Sequence, residues 1–210
     1  MKKTILSFVF LSALFLGACN NATENNHEGH EAAENAATDT ASHAATTDES
    51  EVKTIAATFQ VVDGQVAASV KSIVDAYLQV KNALVADNAA DAAKAAAGIT
   101  SALKGLNQSL LTADQKNVFD DAEAGLKTGA AELEKQPTDI AAQRTHFNTL
   151  SLGVYELAKA FGAGRPLYHD HCPMAFDNKG ALWISELKEV KNPYFGADML
   201  TCGTVEEVIN

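Results

Sequence analysis

The chain has 210 residues, with 16 Lys and Arg against 27 Asp and Glu, a formal charge of −11 and 47% hydrophobic residues. So acidic a protein is a poor partner for nucleic acid, whose phosphates call for a basic surface, and it would be repelled by anionic lipid headgroups. Beyond the N-terminal leader no run of 18 apolar residues follows, so the mature protein is expected not to span a membrane.

Met1-Lys2-Lys3 forms a short positive region ahead of an apolar run from Ile5 to Leu16. That run is shorter than the roughly 20 residues of a spanning helix and suits a signal peptide. Leu16-Gly17-Ala18-Cys19 follows it and resembles the bacterial lipobox. The resemblance implies cleavage after a signal peptide of residues 1–18, then acylation of Cys19. Residues 19–58 would form the lipidated acidic tether: from Asn20 to Thr54 there are eight acidic residues and one lysine, too little apolar surface to offset chain entropy. About 39 flexible residues reach roughly 35 Å. His27, His30 and His43 fall in this stretch and read first as polar spacers.

From Gly64 the period becomes helical. Val66, Val70, Ile73, Val74, Tyr77, Val80 and Leu84 mark one apolar face. Asp87-Asn88 breaks the pattern and offers an N-cap for an alanine-rich second helix running to about Leu106. Thr112-Ala113-Asp114-Gln115 fits a capping box, and a third helix follows with Phe119, Ala122, Leu126, Ala130 and Leu133 on its stripe. Thr138 or Asp139 caps the fourth, whose face carries Ile140, Phe147, Leu150, Val154, Leu157 and Phe161 and which Gly162 closes. His146 beside that stripe reads as structural. Four such segments with short connections predict a mainly α fold, an antiparallel up-down four-helix bundle over residues 59–162.

Residues 163–210 read differently. Pro166, Pro173, Asn192-Pro193 and several glycines predict a loop-rich extension with a short strand or turn near Trp183-Ile184. Its aromatic side chains predict that it folds back on the bundle as part of the same domain.

This extension holds both cysteines left after Cys19, and both methionines beyond the initiator. The first cluster is Tyr168-His169-Asp170-His171-Cys172-Pro173-Met174, the second Met199-Leu200-Thr201-Cys202-Gly203. Three readings stand open. A Cys172–Cys202 disulfide in an oxidising envelope would stabilise the fold by about 3.5–4 kcal/mol in the chain-entropy model. Soft sulfur ligands would select Cu(I) or a similar ion. His169 or His171 with both thiolates would suit zinc. Residue types alone favour the disulfide.

The string His171-Cys172-Pro173-Met174-Ala175, Asn178-Lys179-Gly180-Ala181, Trp183-Ile184-Ser185, Asn192-Pro193-Tyr194-Phe195-Gly196, Met199 and Cys202-Gly203 resembles the C-terminal signature of a domain family of unknown function. That family occurs in Gram-negative envelope lipoproteins and fused to periplasmic adaptor subunits of copper and silver efflux pumps. The resemblance spans roughly Val61 to Ile209 and shifts the weight to metal. It implies a soft-metal site at His171, Cys172, Met174, Met199 and Cys202, with His169 more weakly placed. The expected ion is Cu(I), with Ag(I) or Zn as alternatives, and the expected partners are the membrane, through the lipid, and a heavy-metal efflux adaptor. Asn20 after the acylated cysteine favours the outer membrane, facing the periplasm. Phosphate-loop, nucleophile-elbow, H-E-x-x-H and haem-attachment motifs do not occur, so a non-catalytic protein is expected.

Overall fold

The computed structural model describes residues 52–210. The expected signal peptide, Cys19, the histidines His27, His30 and His43, and most of the expected tether lie outside the described residues. The described chain is mainly helical, with a small sheet formed chiefly by its C-terminal part.

Four long helices follow the apolar stripes: α1 (Gly64–Val85), α2 (Ala89–Gly105), α3 (Ala113–Lys135) and α4 (Ile140–Phe161). Each begins where a side chain satisfies free N–H groups of the first turn. Asp63 accepts from Gln65 and Val66 N–H, Asn88 from Asp91 N–H and Asp139 from Ala142 N–H. Thr112 and Gln115 exchange hydrogen bonds of 3.3 and 3.1 Å in a complete capping box. α4 ends at Gly162, whose φ of 70° suits a residue without Cβ. α1 packs on α2, α2 on α3, α3 on α4, and α4 returns to α1. Ile73, Tyr77 and Leu84, Ile99, Phe119, Leu126 and Leu133, and Phe147, Leu150 and Leu157 are fully buried between them. No helix among the described residues is long and apolar enough to cross a membrane.

The C-terminal region corrects the expectation of a loop-rich extension. Strands β2 (Leu167–Cys172), β3 (Ala181–Ser185) and β4 (Thr204–Ile209) join β1 (Lys53–Ile55) in one sheet of order β1-β4-β2-β3. β1 runs parallel to β4, and β2 is antiparallel to both of its neighbours. β3 falls where a short strand or turn is expected, near Trp183-Ile184; β2 and β4 escape a sequence reading because they are short, and because β2 is mostly polar by composition. β1 falls within the stretch expected as tether, ahead of residue 59 where the bundle is expected to begin. Its pairing partner lies some 150 residues away, and nothing in Lys53-Thr54-Ile55 itself announces a strand. Phe59 then rests on Phe161 with ring centroids 5.3 Å apart.

The helices reach the outer edge of β3 at Ile184. The Ile184 N–H donates to the Tyr77 hydroxyl at 3.0 Å, and that hydroxyl lies 2.8 Å from Ser151 Oγ. Burial pushes the Tyr77 phenol far above its ordinary value, so it stays a neutral hydroxyl. Tyr77→Phe would leave a buried N–H without a partner, and an expected loss of about 1–3 kcal/mol should appear in urea unfolding.

Candidate metal centre

β2 decides which of the candidate ligands can meet. Successive side chains on a strand point to opposite faces, and β2 pairs with β3 in unbroken register from Tyr168 to Cys172. His169 and His171 therefore share one face, and Asp170 and Cys172 the other. The imidazole face turns toward α4, where the Tyr155 ring lies 4.5 Å from that of His169. The structure thus separates the two histidines from Cys172, although His171 is its neighbour in sequence.

On the other face Cys172 is fully buried and its Sγ lies 2.9 Å from Sγ of Cys202, with both thiols free. A disulfide closes at about 2.05 Å, whereas two thiolates about 2.3 Å from one tetrahedral ion stand about 3.8 Å apart. The pair sits between these states, so a small movement of the half-buried Cys202 reaches either. Contact with Cys172 and then desolvation push the Cys202 thiol up to about 11. It holds its proton at neutral pH, and a metal ion must displace that proton to bind. Met199 belongs to the same turn as Cys202, whose N–H donates to the Met199 carbonyl at 3.1 Å. Met174, two residues beyond Cys172, is half exposed. Among the described residues no three His, Cys, Asp or Glu side chains are gathered to hold an ion as they stand. The further soft donors close to these cysteines in sequence are the sulfurs of Met174 and Met199.

The remaining signature residues build the frame around the thiols. The buried Asn192 donates from Nδ2 to the Cys202 carbonyl at 2.7 Å, while its Oδ1 accepts from Tyr194 and Phe195 N–H. Its own N–H donates to the Leu200 carbonyl at 2.7 Å, so one side chain and its backbone fix the turn that carries Met199 and Cys202. Arg144 of α4 ties the same loop to the helices: Nε donates to the Pro193 carbonyl at 2.9 Å and Nη2 to Asp87 at 2.6 Å. Asp87 also accepts from Ala197 N–H, and these two bonds hold its carboxyl below the usual range. Tyr194 donates to the Leu182 carbonyl and closes an aromatic cluster with Phe147, Phe176 and Trp183.

Gly203 has φ 138°, and a Cβ there would stand 2.8 Å from the Trp183 ring and 3.0 Å from the His171 carbonyl. Only glycine lets the chain after Cys202 lie against that indole. Trp183 is the chain's one tryptophan, so its fluorescence reports on this corner. Joining the thiols by oxidation, or loading them with Cu(I), is expected to change Trp183 emission, and reductant or a Cu(I) chelator should restore it.

Four participants had no role in the sequence reading. Asn192 was legible only as a turn residue, because its partners are backbone groups brought by folding. Asp170 is fully buried with neither carboxylate oxygen hydrogen-bonded, and desolvation pushes it up to about 8, with Lys81 acting in the opposite direction. Glu206 and Glu207 look like solvated charges until β4 places them beside the histidines. The spacing of His169 and His171 would have been a signal had β2 been expected as a strand.

Residues 73–165 match the model of a family described as protein of unknown function, DUF3347. The match supports a resemblance to a domain family of unknown function over the helices from mid-α1 onward, and it stops short of the stretch from His171 to Val205. No curated protein and no solved structure matches the chain.

Proposed function

We propose that this is a non-catalytic, lipid-anchored cell-envelope protein that binds Cu(I), and Ag(I) by the same chemistry, in order to sequester it or pass it to an efflux adaptor. The observation that carries this reading is the approach of Cys172 and Cys202 to 2.9 Å across 30 residues of chain, each with a methionine two or three residues away. Thiolates and thioethers together are a Cu(I) donor set. The ligands in this reading are Cys172 and Cys202, with Met174 and Met199 completing them. His171 and His169 leave the set because β2 turns them to the other face, and the same geometry counts against a zinc site that mixes their imidazoles with both thiolates. The helical part is taken as an antiparallel up-down four-helix bundle that serves as scaffold. Acylation of Cys19 would hold the protein in the outer membrane, facing the periplasm, with the tether giving it reach.

A second reading rests on the same contact. The thiols are close enough that a Cys172–Cys202 disulfide would need little movement, and the domain would then be an interaction module without metal. Thiol counting on protein taken from the envelope, with and without Cu(I), separates the two. Two free thiols that one equivalent of Cu(I) protects from alkylation support the metal site; a disulfide that resists mild reductant overturns it.

A further inference from the structure

The face of β2 opposite the thiols carries its own set of donors. His169 and His171 are two residues apart on a strand, so both imidazoles project to one side about 7 Å apart along the chain. Beside them β4 departs from regular pairing: Glu207 stands opposite His169 and Val205 opposite Asp170, which leaves Glu206 as the extra residue of a bulge. In regular register Glu206 would pair with Asp170 and point to the thiol face. The bulge re-aims it, and its Oε1 lies 3.2 Å from His171 Nδ1 while its Oε2 lies 4.0 Å from His169 Nε2.

His169 is nine-tenths buried, and neither of its ring nitrogens has a hydrogen-bond partner. Such a group is costly unless something completes it. Behind it, Nδ1 faces the Glu207 carboxylate at 3.5 Å, and Glu207 accepts from the Tyr155 hydroxyl at 2.6 Å. A carboxylate behind one imidazole nitrogen, leaving the other free, is the usual outer arrangement of a metal-bound histidine. His171 fits beside Gly180, which has φ 82° and where a Cβ would fall 2.5 Å from His171 Nε2. The two imidazoles and Glu206 line a cavity of about 320 Å³ that Asn148 and Leu152 of α4 also border.

From this geometry we infer a second metal site, formed by His169 Nε2, His171 Nδ1 and the Glu206 carboxylate, that takes a borderline divalent transition ion such as Zn²⁺ or Cu²⁺. Nitrogen and oxygen donors about 2.1 Å from one tetrahedral ion stand about 3.4 Å apart. As they stand the three groups do not hold an ion: the 3.2 Å pair already matches, and the 4.0 Å pair must close by a rotation of Glu206, which is 45% exposed. Two imidazoles and a carboxylate with room for water suit Zn²⁺, and Cu²⁺ should bind more tightly. The site contains no sulfur and is independent of the Cu(I) reading.

The test uses the full chain with His27, His30 and His43 replaced by alanine, so that the tether adds no imidazole, and with its thiols kept reduced. Titration with Co²⁺ should give one equivalent bound, with d–d absorption and no thiolate charge transfer, and Zn²⁺ should displace it. His171→Ala and Glu206→Gln should each weaken Zn²⁺ binding at least about tenfold. Lys179→Ala, which removes a cation from the cavity lining, should strengthen it. Glu206 is a surface residue, so E206Q keeps the test decisive if H171A fails to fold. The inference is overturned by an absence of stoichiometric uptake, or by equal affinity in wild type and E206Q. Thiolate charge transfer that Cys202→Ser abolishes would also overturn it, by placing the ion on the thiols.

Discussion

Replacing Cys172 by serine is expected to lower Cu(I) affinity by more than about 100-fold, beyond the 10–100-fold that loss of an outer-shell partner costs. Cys172 is the buried member of the pair, and serine oxygen is a poor ligand for so soft an ion. Cys202→Ser should match it, because two-sulfur ligation fails with either thiol gone. Met199→Ala and Met174→Ala should cost less, since a thioether supplements the thiolates without replacing them. His169→Ala and His171→Ala should leave Cu(I) affinity unchanged, because their imidazoles lie across the strand from Cys172. Competition against a chromophoric Cu(I) chelator under reductant measures the six variants and the wild type on one scale. Equal weak binding by every variant and by wild type would end the copper reading. A large loss in H171A with an unchanged melting profile would return His171 to the ligand set.

Asp170→Asn is expected to stabilise the fold at neutral pH, by several kcal/mol at most. The buried carboxyl titrates at about 8 instead of its ordinary 3.8 because burial disfavours its charge. Below about pH 4 it is protonated in both the folded and the unfolded chain and contributes no pH-dependent term. Between 4 and 8 the unfolded chain releases the proton while the folded chain retains it, so stability falls by about 1.4 kcal/mol per pH unit. Above 8 both states are ionised and the loss is complete. Asparagine has the same shape and no charge to desolvate. The difference between variant and wild type should be near zero at pH 4.5 and reach about 2–4 kcal/mol at pH 7.5. Urea unfolding at the two pH values measures it, and a difference that does not change with pH would show that Asp170 is solvated or paired.

Helix boundaries were legible from local chemistry. Asn88, the Thr112–Gln115 box, Asp139 and Gly162 each act within a few residues of themselves, so the string contains both the cap and what it caps. Apart from the stretch near Trp183-Ile184 the sheet was not legible, for the opposite reason. Tyr77 completes the edge of β3 from more than 100 residues away, and β1 exists only because β4 offers it a parallel edge. The thiol pair was half legible: clustering of cysteine and methionine in one tail pointed to soft chemistry, but adjacency of His171 and Cys172 suggested shared ligation, which a strand forbids.

By itself the sequence determined the leader pattern ending at Cys19 as a candidate anchor, four amphipathic helices with their stops, and an even pair of cysteines beyond Cys19. Those features depend on composition and on spacings of three or four residues, which a chain shows without folding. Only the tertiary structure decided that Cys172 meets Cys202, that the histidines look the other way, and that a one-residue bulge brings Glu206 to them. Which donors can share an ion depends on strand facing and register, and both are set by pairing between segments distant in the chain.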